Sequence, residues 1–492
     1  MQLKTLLGAT PVRQIFGSVD RPVENIAYDS RRVQRHTMFV ALRGEKTDGH
    51  QFIAHAIDKG ASVIVAEREQ KDPRVACLLV ENTRTALADF SATFYGHPAR
   101  KLKLAAVTGT NGKTTTTFLI KHICENTGLR CGLIGTVRYE IGERILPAIR
   151  TTPESLDLQE LLAQIGNAGC KAAAMEVSSH ALAQERTRGI EWNVAVFTNL
   201  TQDHLDFHGT MENYLEAKAK LFTGLAKQNQ KTKPVAIVNM DDRYGRQLLD
   251  RLDKRVAVVT YGMGLRADFR ASNYRAEFTG TSYQLDARGK SYLVRLPLIG
   301  RFNVANSIAA LAAAEVLGIN VRSAVLNLAK APQVPGRLEV VSAKRQFQVF
   351  VDYAHTPDAL ANVLKTLREL QPHRLIAVFG CGGDRDRQKR PLMAQMADQL
   401  ADYSIITSDN PRKENPGAII AETEKGFRSN RYEKIVDRTE AINRAVALAR
   451  PRDIVLVAGK GHENYQEFAD YTIPFDDIQV ARRAIEDHPV EL

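Results

Sequence analysis

At 492 residues the chain is too long for a single hydrophobic core, so two or three domains are expected. A hydrophobic content of 44% with 25% charged residues is ordinary for a globular protein, and no apolar run is long enough to span a bilayer, which argues against stable membrane insertion. The formal charge of +11 favours anionic partners. The basic residues are dispersed, there is one Trp and no nucleic-acid motif, so polyphosphorylated or polycarboxylated small molecules fit better than nucleic acid. A basic solvated surface without function explains the charge equally well.

Five scattered cysteines (Cys77, Cys124, Cys131, Cys170, Cys381), with no C-x-x-C pair, fit a reducing compartment. Met1-Gln2-Leu3-Lys4-Thr5 carries no apolar signal core, so a cytoplasmic address is expected.

Residues 1 to about 98 mix short strands, Thr37–Leu42 and Ala61–Ala66, with helical stretches near 50–59 and 83–95. Tyr95-Gly96-His97-Pro98 closes this block with Gly and Pro. It has no phosphate loop and reads as a small α/β binding module. Tyr28–Arg32 and Gly44–Gly49 are polar and loop-like, either anion-facing or ordinary turns.

The apolar run Leu104–Val107 then leads into Thr108-Gly109-Thr110-Asn111-Gly112-Lys113-Thr114-Thr115, followed by the amphipathic pattern Phe118–Ile123. A strand, a Gly-containing loop and a helix opening on Lys-Thr make a phosphate cradle. Loop N–H groups and the helix N-terminus face the anion, Lys113 adds a point charge, and the Thr114 hydroxyl suits Mg²⁺. The Gly-x-x-Gly-Lys-Thr spacing is two residues shorter than the usual phosphate loop, with Val107 where that pattern has its first Gly. Strands and helices alternate from about 99 to 335, implying a mainly parallel sheet, with candidate strands at 131–135, 171–177, 192–199, 234–239 and 255–260. Residues 268–297 read as a β-meander, and helices return from Asn303 to about Leu317 and near 321–330.

Pro332-Gln333-Val334-Pro335-Gly336-Arg337 is a second boundary. Beyond it, strands near 347–353, 374–380, 403–407, 433–436 and 453–458 are each followed by a helical pattern, a second doubly wound unit without a phosphate loop. The expected fold is therefore α/β in three domains. These are a small α/β N-terminal domain (1–98), a central, mainly parallel phosphate-loop ATPase domain with an added β-meander (99–335), and a C-terminal Rossmann-like domain (336–492). Ligands of such sheets bind at the carboxyl ends of the strands. Four polar clusters fall there: Asp352–Pro357, Gly380–Asp386, Ser408–Arg412 and Gly459–Glu463.

Within the central block, Glu176 ends an apolar strand beside the cradle and is placed to ligate Mg²⁺, although an isolated Glu there is ordinary surface. His204, in Thr198–His208, either orders a cation or phosphates or is structural. Lys218, in Tyr214-Leu215-Glu216-Ala217-Lys218, stays open between a solvated face and a site residue, and Lys220 reads as solvated.

Together these pieces resemble the Mur ligases, ATP-dependent amino-acid ligases of peptidoglycan synthesis. The matching motifs are Gly-Thr-Asn-Gly-Lys-Thr-Thr, Glu-Val-Ser-Ser-His, Thr-Asn-Leu-x-x-Asp-His-Leu-Asp-x-His, Glu-Ala-Lys, Phe-Asn303-x-x-Asn306, Pro-Gly-Arg337 and Asp-Tyr-Ala-His-Thr-Pro. They run in one order and cover the chain in three-domain form. The resemblance is greatest to the branch that adds meso-2,6-diaminopimelate to the D-Glu carboxyl of UDP-N-acetylmuramoyl-L-Ala-D-Glu. It implies ATP with Mg²⁺ and an acyl-phosphate route, because a carboxylate becomes a good electrophile only once oxide is made a leaving group.

The resemblance also implies roles. Gly109, Thr110, Asn111, Gly112, Lys113, Thr114 and Thr115 would bind ATP with Asn303 and Arg337. Thr114, Glu176 and His204 would support the metal, with Lys218 carboxylated on its amine to an N6-carboxylysine that ligates a second Mg²⁺. Asp352 and His355 would reach the reaction from the third domain. Tyr28, Ser30, Glu45, Lys46 and Thr47, then Thr151, Thr152, Ser178, Gln184 and Arg186, would hold the nucleotide-sugar peptide. Asp409-Asn410-Pro411-Arg412 matches the diaminopimelate signature, with Arg412 pairing the distal carboxylate bidentately. Arg385, Gly459 and Glu463 complete that subsite, Glu463 meeting the distal ammonium. A monomer is expected. The lysine-adding ligase of the same family is the nearest alternative, folylpolyglutamate synthase lacks this N-terminal domain and Asp-Asn-Pro-Arg loop, and a nucleotide-gated binding protein without ligase chemistry is the alternative from another class.

Overall fold

The computed structural model describes residues 1–44, 47–228, 233–264, 266–341 and 346–487. Three sheets carry the architecture. The first, a five-stranded sheet, has the order Gln14–Phe16, Ala76–Leu79, Ala61–Ala66, Thr37–Val40, Asn25–Ala27 and is parallel except for its first strand. The helix Thr83–Phe94 begins at Asn82, whose side chain accepts from the Arg84 and Thr85 amides, and packs its buried face, with Leu87 and Phe90, against this sheet.

The second sheet has eleven strands. Its parallel centre runs Ala257–Gly262, Val235–Asn239, Val194–Phe197, Lys103–Thr108, Ala172–Glu176, Cys131–Ile134. Period-two alternation divides its side chains between two layers: Ala105, Val107, Val194 and Val196 face one core, and Leu104, Ala106, Ala195 and Phe197 the other. One flank continues as the expected meander, Phe269–Glu277, Gly280–Ala287 and Lys290–Leu296. The other ends in the hairpin Arg138–Ile141, mostly buried, and Arg144–Pro147, mostly exposed, whose four-residue strands with interspersed charges gave no clear strand signal in the sequence. The helix Lys113–Asn126 is clamped between this sheet and the alanine-rich helix Arg301–Val316, whose residues 306–314 are fully or nearly fully buried.

The third sheet, six-stranded, has the order Glu339–Val340, Gln348–Asp352, Ile454–Ala458, Leu375–Phe379, Tyr403–Ile406, Tyr432–Lys434, parallel except for the first. Alternation again sorts Phe350, Ala377, Phe379 and Leu456 to one side and Val349, Val351, Ile376 and Val455 to the other. The expected strands of the second and third sheets are all present, shorter by one or two residues at several ends. Among the described residues, no helix is long and apolar enough to cross a membrane.

Candidate functional site

Two hollows meet where the three sheets face one another. The smaller, about 440 Å³, is lined by Thr110 to Thr115, Thr136, Glu176, Asn199, Phe302, Asn306 and Arg337. The larger, about 1420 Å³, draws its walls from all three sheets. They share Thr151, Ser178, Asp203, His204, Tyr353 and His355, so the first opens into the second.

The smaller hollow lies over three adjacent parallel strand ends, those of Ala172–Glu176, Lys103–Thr108 and Val194–Phe197. Gly109 is required there: its φ is 153° and a methyl group would overlap the Thr198 hydroxyl. Gly112, at φ 88°, lies against Asn306 Oδ1 in the same way. Lys113 Nζ donates to the Gly109 and Thr110 carbonyls at 3.0 and 2.9 Å, curling over the loop. Burial pushes its ammonium below the usual lysine range, with Glu176 pulling it back.

Glu176 is fully buried. It accepts from Thr114 Oγ1 at 3.1 Å, Thr136 N at 2.8 Å and Thr136 Oγ1 at 3.0 Å. Thr136 was not singled out from sequence, where it is only a polar residue after a strand. Arg337 reaches across from the third sheet, donating to Thr114 Oγ1 at 3.0 Å and lying 4.8 Å from the Tyr353 ring centre, while its buried Nε has no hydrogen-bond partner among the described residues. Asn111 Nδ2 donates to Asp358 at 3.3 Å, a second contact across the same gap.

Asn303 is placed differently from the reading above. Its amide donates to the Ile299 carbonyl at 2.9 Å and its Oδ1 accepts from Asn306 at 3.1 Å, so it braces Asn306 from behind. Asn306 and Phe302, on the pocket-facing side of the helix, form the wall. Asn303 and Asn306 are one turn apart and touch, so Asn303 meets the hollow only through Asn306, whereas Phe302 and Asn306 line it directly.

Lys218 also differs from a wall residue. It is buried, donates to the Gly109 carbonyl at 2.8 Å and stands 4.6 Å from the Tyr214 ring centre, beneath the loop. Burial, then the nearby Lys113 charge, holds its pKa well below the ordinary lysine value. His204 has a φ of 54°, contacts His180 ring to ring at 4.8 Å and lies 3.4 Å from Asp203; desolvation lowers its pKa, against the opposing pull of Asp203.

Asp352 is buried, and its two oxygens accept from the Leu338 and Ala354 amides at 2.7 and 2.8 Å. It therefore ties the linker after Arg337 to the strand end. Burial raises its pKa to about 6, against the opposing pull of Arg337. His355 Nδ1 is 2.8 Å from the Tyr353 carbonyl. A carbonyl can only accept, so Nδ1 carries the proton and Nε2 of the neutral ring keeps its lone pair. Burial, then Lys389, lowers its pKa.

Every described residue of the expected sugar-peptide set lines the larger cleft: Tyr28, Ser30, Thr47, Thr151, Thr152, Ser178, Gln184 and Arg186. Glu45 and Lys46 lie outside the described residues. Thr152 Oγ1 donates to the Glu176 carbonyl at 2.9 Å and accepts from Ser178 N at 3.0 Å. Arg186 donates to the Thr152 carbonyl at 3.1 Å. Buried Glu154 draws in Arg84, Arg150 and Arg186 at 3.4, 3.7 and 3.4 Å. That three-to-one balance leaves this wall cationic, and the sequence showed it only as separate arginines.

At the opposite end, four consecutive strands of the third sheet bring Asp352–His355, Gly459–Glu463, Gly380–Asp386 and Ser408–Arg412 side by side. Arg385, Asp409, Asn410, Arg412, Gly459 and Glu463 line the cleft; Pro411 does not. Asn410 Nδ2 donates to Glu463 Oε2 at 2.9 Å, and Lys460 Nζ, fully buried, bonds both Asn410 Oδ1 and Glu463 Oε2 at 2.9 and 3.0 Å. Arg412 Nε donates to Glu467 at 2.9 Å and Nη1 to the Gly383 carbonyl at 2.9 Å. Buried Arg438, paired with Asp477, also donates to the Ser408 and Ala458 carbonyls at 3.2 and 3.0 Å and so fixes two of the strand ends.

Comparison with known proteins agrees along the whole chain. The profile for the Mur ligase family, catalytic domain, matches residues 22–95, that for the Mur ligase middle domain residues 107–314, and that for the Mur ligase glutamate ligase domain residues 336–461. A UDP-N-acetylmuramoyl-L-alanyl-D-glutamate--2,6-diaminopimelate ligase from Clostridium tetani is 42% identical over 99% of this chain and 100% of its own length. One of the same name from Syntrophomonas wolfei is 44% identical over 98% of each chain. A solved structure of a ligase with this name superimposes with a TM-score of 0.70 at 36% identity, covering 99% of both chains.

Proposed function

The chain belongs to the Mur ligase family, and we propose from that premise that it joins meso-2,6-diaminopimelate to the D-Glu carboxyl of UDP-N-acetylmuramoyl-L-Ala-D-Glu. It is an ATP-dependent ligase of peptidoglycan precursor synthesis. The observation that carries the substrate assignment is the continuous hollow running from Lys113 to Arg412. In this reading, residues 1–98 hold the UDP-sugar, 99–335 the ATP and 336–492 the amino acid, in a cytoplasmic enzyme.

The D-Glu carboxylate attacks the γ-phosphorus and ADP leaves. The substrate amine then attacks the acyl carbon, phosphate departs, and the nitrogen loses a proton. Lys113 and the N-terminus of its helix neutralise charge on the transferring group, and Arg337 adds a guanidinium from the facing sheet. His355, neutral and with Nε2 free, takes the amine's proton. Asp352 positions this strand end through its amide bonds.

A hard divalent cation fits the donors at the cradle. Mg²⁺ takes one or two protein oxygens and fills the rest of its shell with phosphate and water, and the Thr114 hydroxyl and Glu176 carboxylate supply such a pair. Among the described residues no group of three acidic, His or Cys side chains is suited to a metal, which fits a site completed by substrate. Bound there, the ion would screen the phosphate charge. Lys218 supports the carbamate reading: burial and the nearby Lys113 charge favour the uncharged amine, the form that adds CO₂, and its product is an anion beside the loop.

Phosphate release should require ATP, the sugar dipeptide and diaminopimelate together, with lysine and ornithine poor replacements. ATP turnover indifferent to the two co-substrates would reduce the protein to an NTPase, and no turnover to a binding protein.

A further inference from the structure

The hydrogen bonds around Arg412 are set from behind the cleft. A guanidinium can grip a carboxylate with two parallel bonds along its side edge, Nε with Nη2, or along its end edge, Nη1 with Nη2. Arg412 Nε is taken by Glu467 Oε2 at 2.9 Å, which removes the side edge. Nη1 gives one hydrogen to the Gly383 carbonyl at 2.9 Å and keeps the other, and Nη2 takes no part in either contact. Glu467 does not line the cleft, whereas Arg412 does.

The backbone repeats the arrangement. The Arg412 amide donates to the Glu467 carbonyl at 3.0 Å, the Glu467 amide donates to Asn410 Oδ1 at 3.0 Å, and Arg412 forms a parallel bridge with Phe468. These contacts hold Arg412 at a φ of 51°, a left-handed conformation costly for a residue with a side chain. Gly382 lies beneath the guanidinium, where a side chain would press on Nη1.

We propose that Glu467 is a positioning residue for amino-acid recognition: by occupying Nε it makes Arg412 present its end edge to the distal carboxylate of the substrate. This rests on the reading that Arg412 receives that carboxylate. Glu467 is therefore a specificity determinant that never touches substrate.

Orientation and charge predict opposite results when Glu467 is replaced. A purely electrostatic role would mean that removing the negative charge strengthens the pull on a carboxylate, so Glu467→Gln and Glu467→Ala would both lower the KM for diaminopimelate. A positioning role depends on an acceptor at Nε, which glutamine retains and alanine lacks. The pair is partly open to water, with side-chain exposures of 21% for Arg412 and 42% for Glu467, so a moderate effect is expected.

The test is steady-state kinetics of the full-length enzyme with meso-diaminopimelate as the varied substrate. Glu467→Ala should raise that KM about tenfold, with kcat and the KM values for ATP and sugar dipeptide unchanged. Glu467→Gln should stay within about twofold of the parent. The inference is overturned if Ala leaves the KM unchanged or lowers it, or if Gln is as damaged as Ala. Arg412→Ala, run alongside, separates the two levels. An unchanged KM there removes the subsite reading itself, whereas a raised KM with an indifferent Glu467→Ala removes only the role of Glu467.

Discussion

The proposed nucleotide pocket and the proposed amino-acid subsite both sit over carboxyl ends of parallel strands, yet they are built from different materials. Around Lys113 the backbone sets the surface through a helix N-terminus and two glycines that admit close approach at Thr198 and Asn306, while the Thr110 and Asn111 amides are bonded to Asn199. Around Arg412 it is largely side chain, two of the cleft-lining charges having an opposite charge beside them, Glu467 for Arg412 and buried Lys460 for Glu463. A phosphate is the same anion in every nucleotide, so a backbone cradle suffices. A second carboxylate and ammonium distinguish one amino acid from another, which calls for oriented side chains.

That contrast makes the two ends separable by kinetics. The largest effect is expected at the cradle: Lys113→Ala should lower kcat by about a thousandfold or more with any co-substrate, because charge neutralisation at the transferring phosphoryl group is lost. A selective change in the diaminopimelate KM would break the division. Next is Lys218→Ala, which should lose about a hundredfold or more in kcat and regain part of it with added short carboxylates, if an anion at this place is what matters. Absence of rescue, together with electron density at Lys218 showing a bare amine in a crystal of the protein, would discard the carbamate.

His355→Ala sharpens the division at the junction. It should lower kcat about a hundredfold with little change in any KM, because it removes a proton acceptor rather than a grip. Arg412→Ala should do the reverse, raising the diaminopimelate KM about a hundredfold and narrowing the preference over lysine. The smallest effect concerns pH. His208, stacked on Tyr214 and bonded to Ser179, is lowered by burial to about 4. The unfolded chain takes up this proton below about pH 6.5, and the folded one only near 4. Stability should therefore fall as pH drops through that window. Urea unfolding at pH 7 and pH 5 should show a shallower loss in His208→Gln, by on the order of 1 kcal/mol.

The same contrast decides what could be read from sequence. The cradle was legible because its parts are contiguous: an apolar strand, Gly109, Gly112, Lys113 and Thr114 within a dozen residues. The buried strands of the second and third sheets were legible as continuous apolar runs. Side-chain partners were not. Glu467 follows Arg412 by 55 positions and looks like any strand-end glutamate. Thr136 reaches Glu176 across 40 positions. Asn303 and Asn306 share one motif, and only the fold tells which of them lines the pocket. The short strands Gln14–Phe16 and Asn25–Ala27 and the hairpin after Ile134 were missed because three or four residues carry too little periodicity.

The account depends on a carboxyl activated beside Lys113 meeting an amine held beside Arg412. The direct measurement is a crystal structure with a non-hydrolysable ATP analogue, the sugar dipeptide and meso-diaminopimelate bound together. The D-Glu carboxyl carbon and the attacking nitrogen should lie about 3 to 4 Å apart between the second and third sheets, with the distal carboxylate on Arg412. Ligands on separate surfaces with no shared cleft would contradict it.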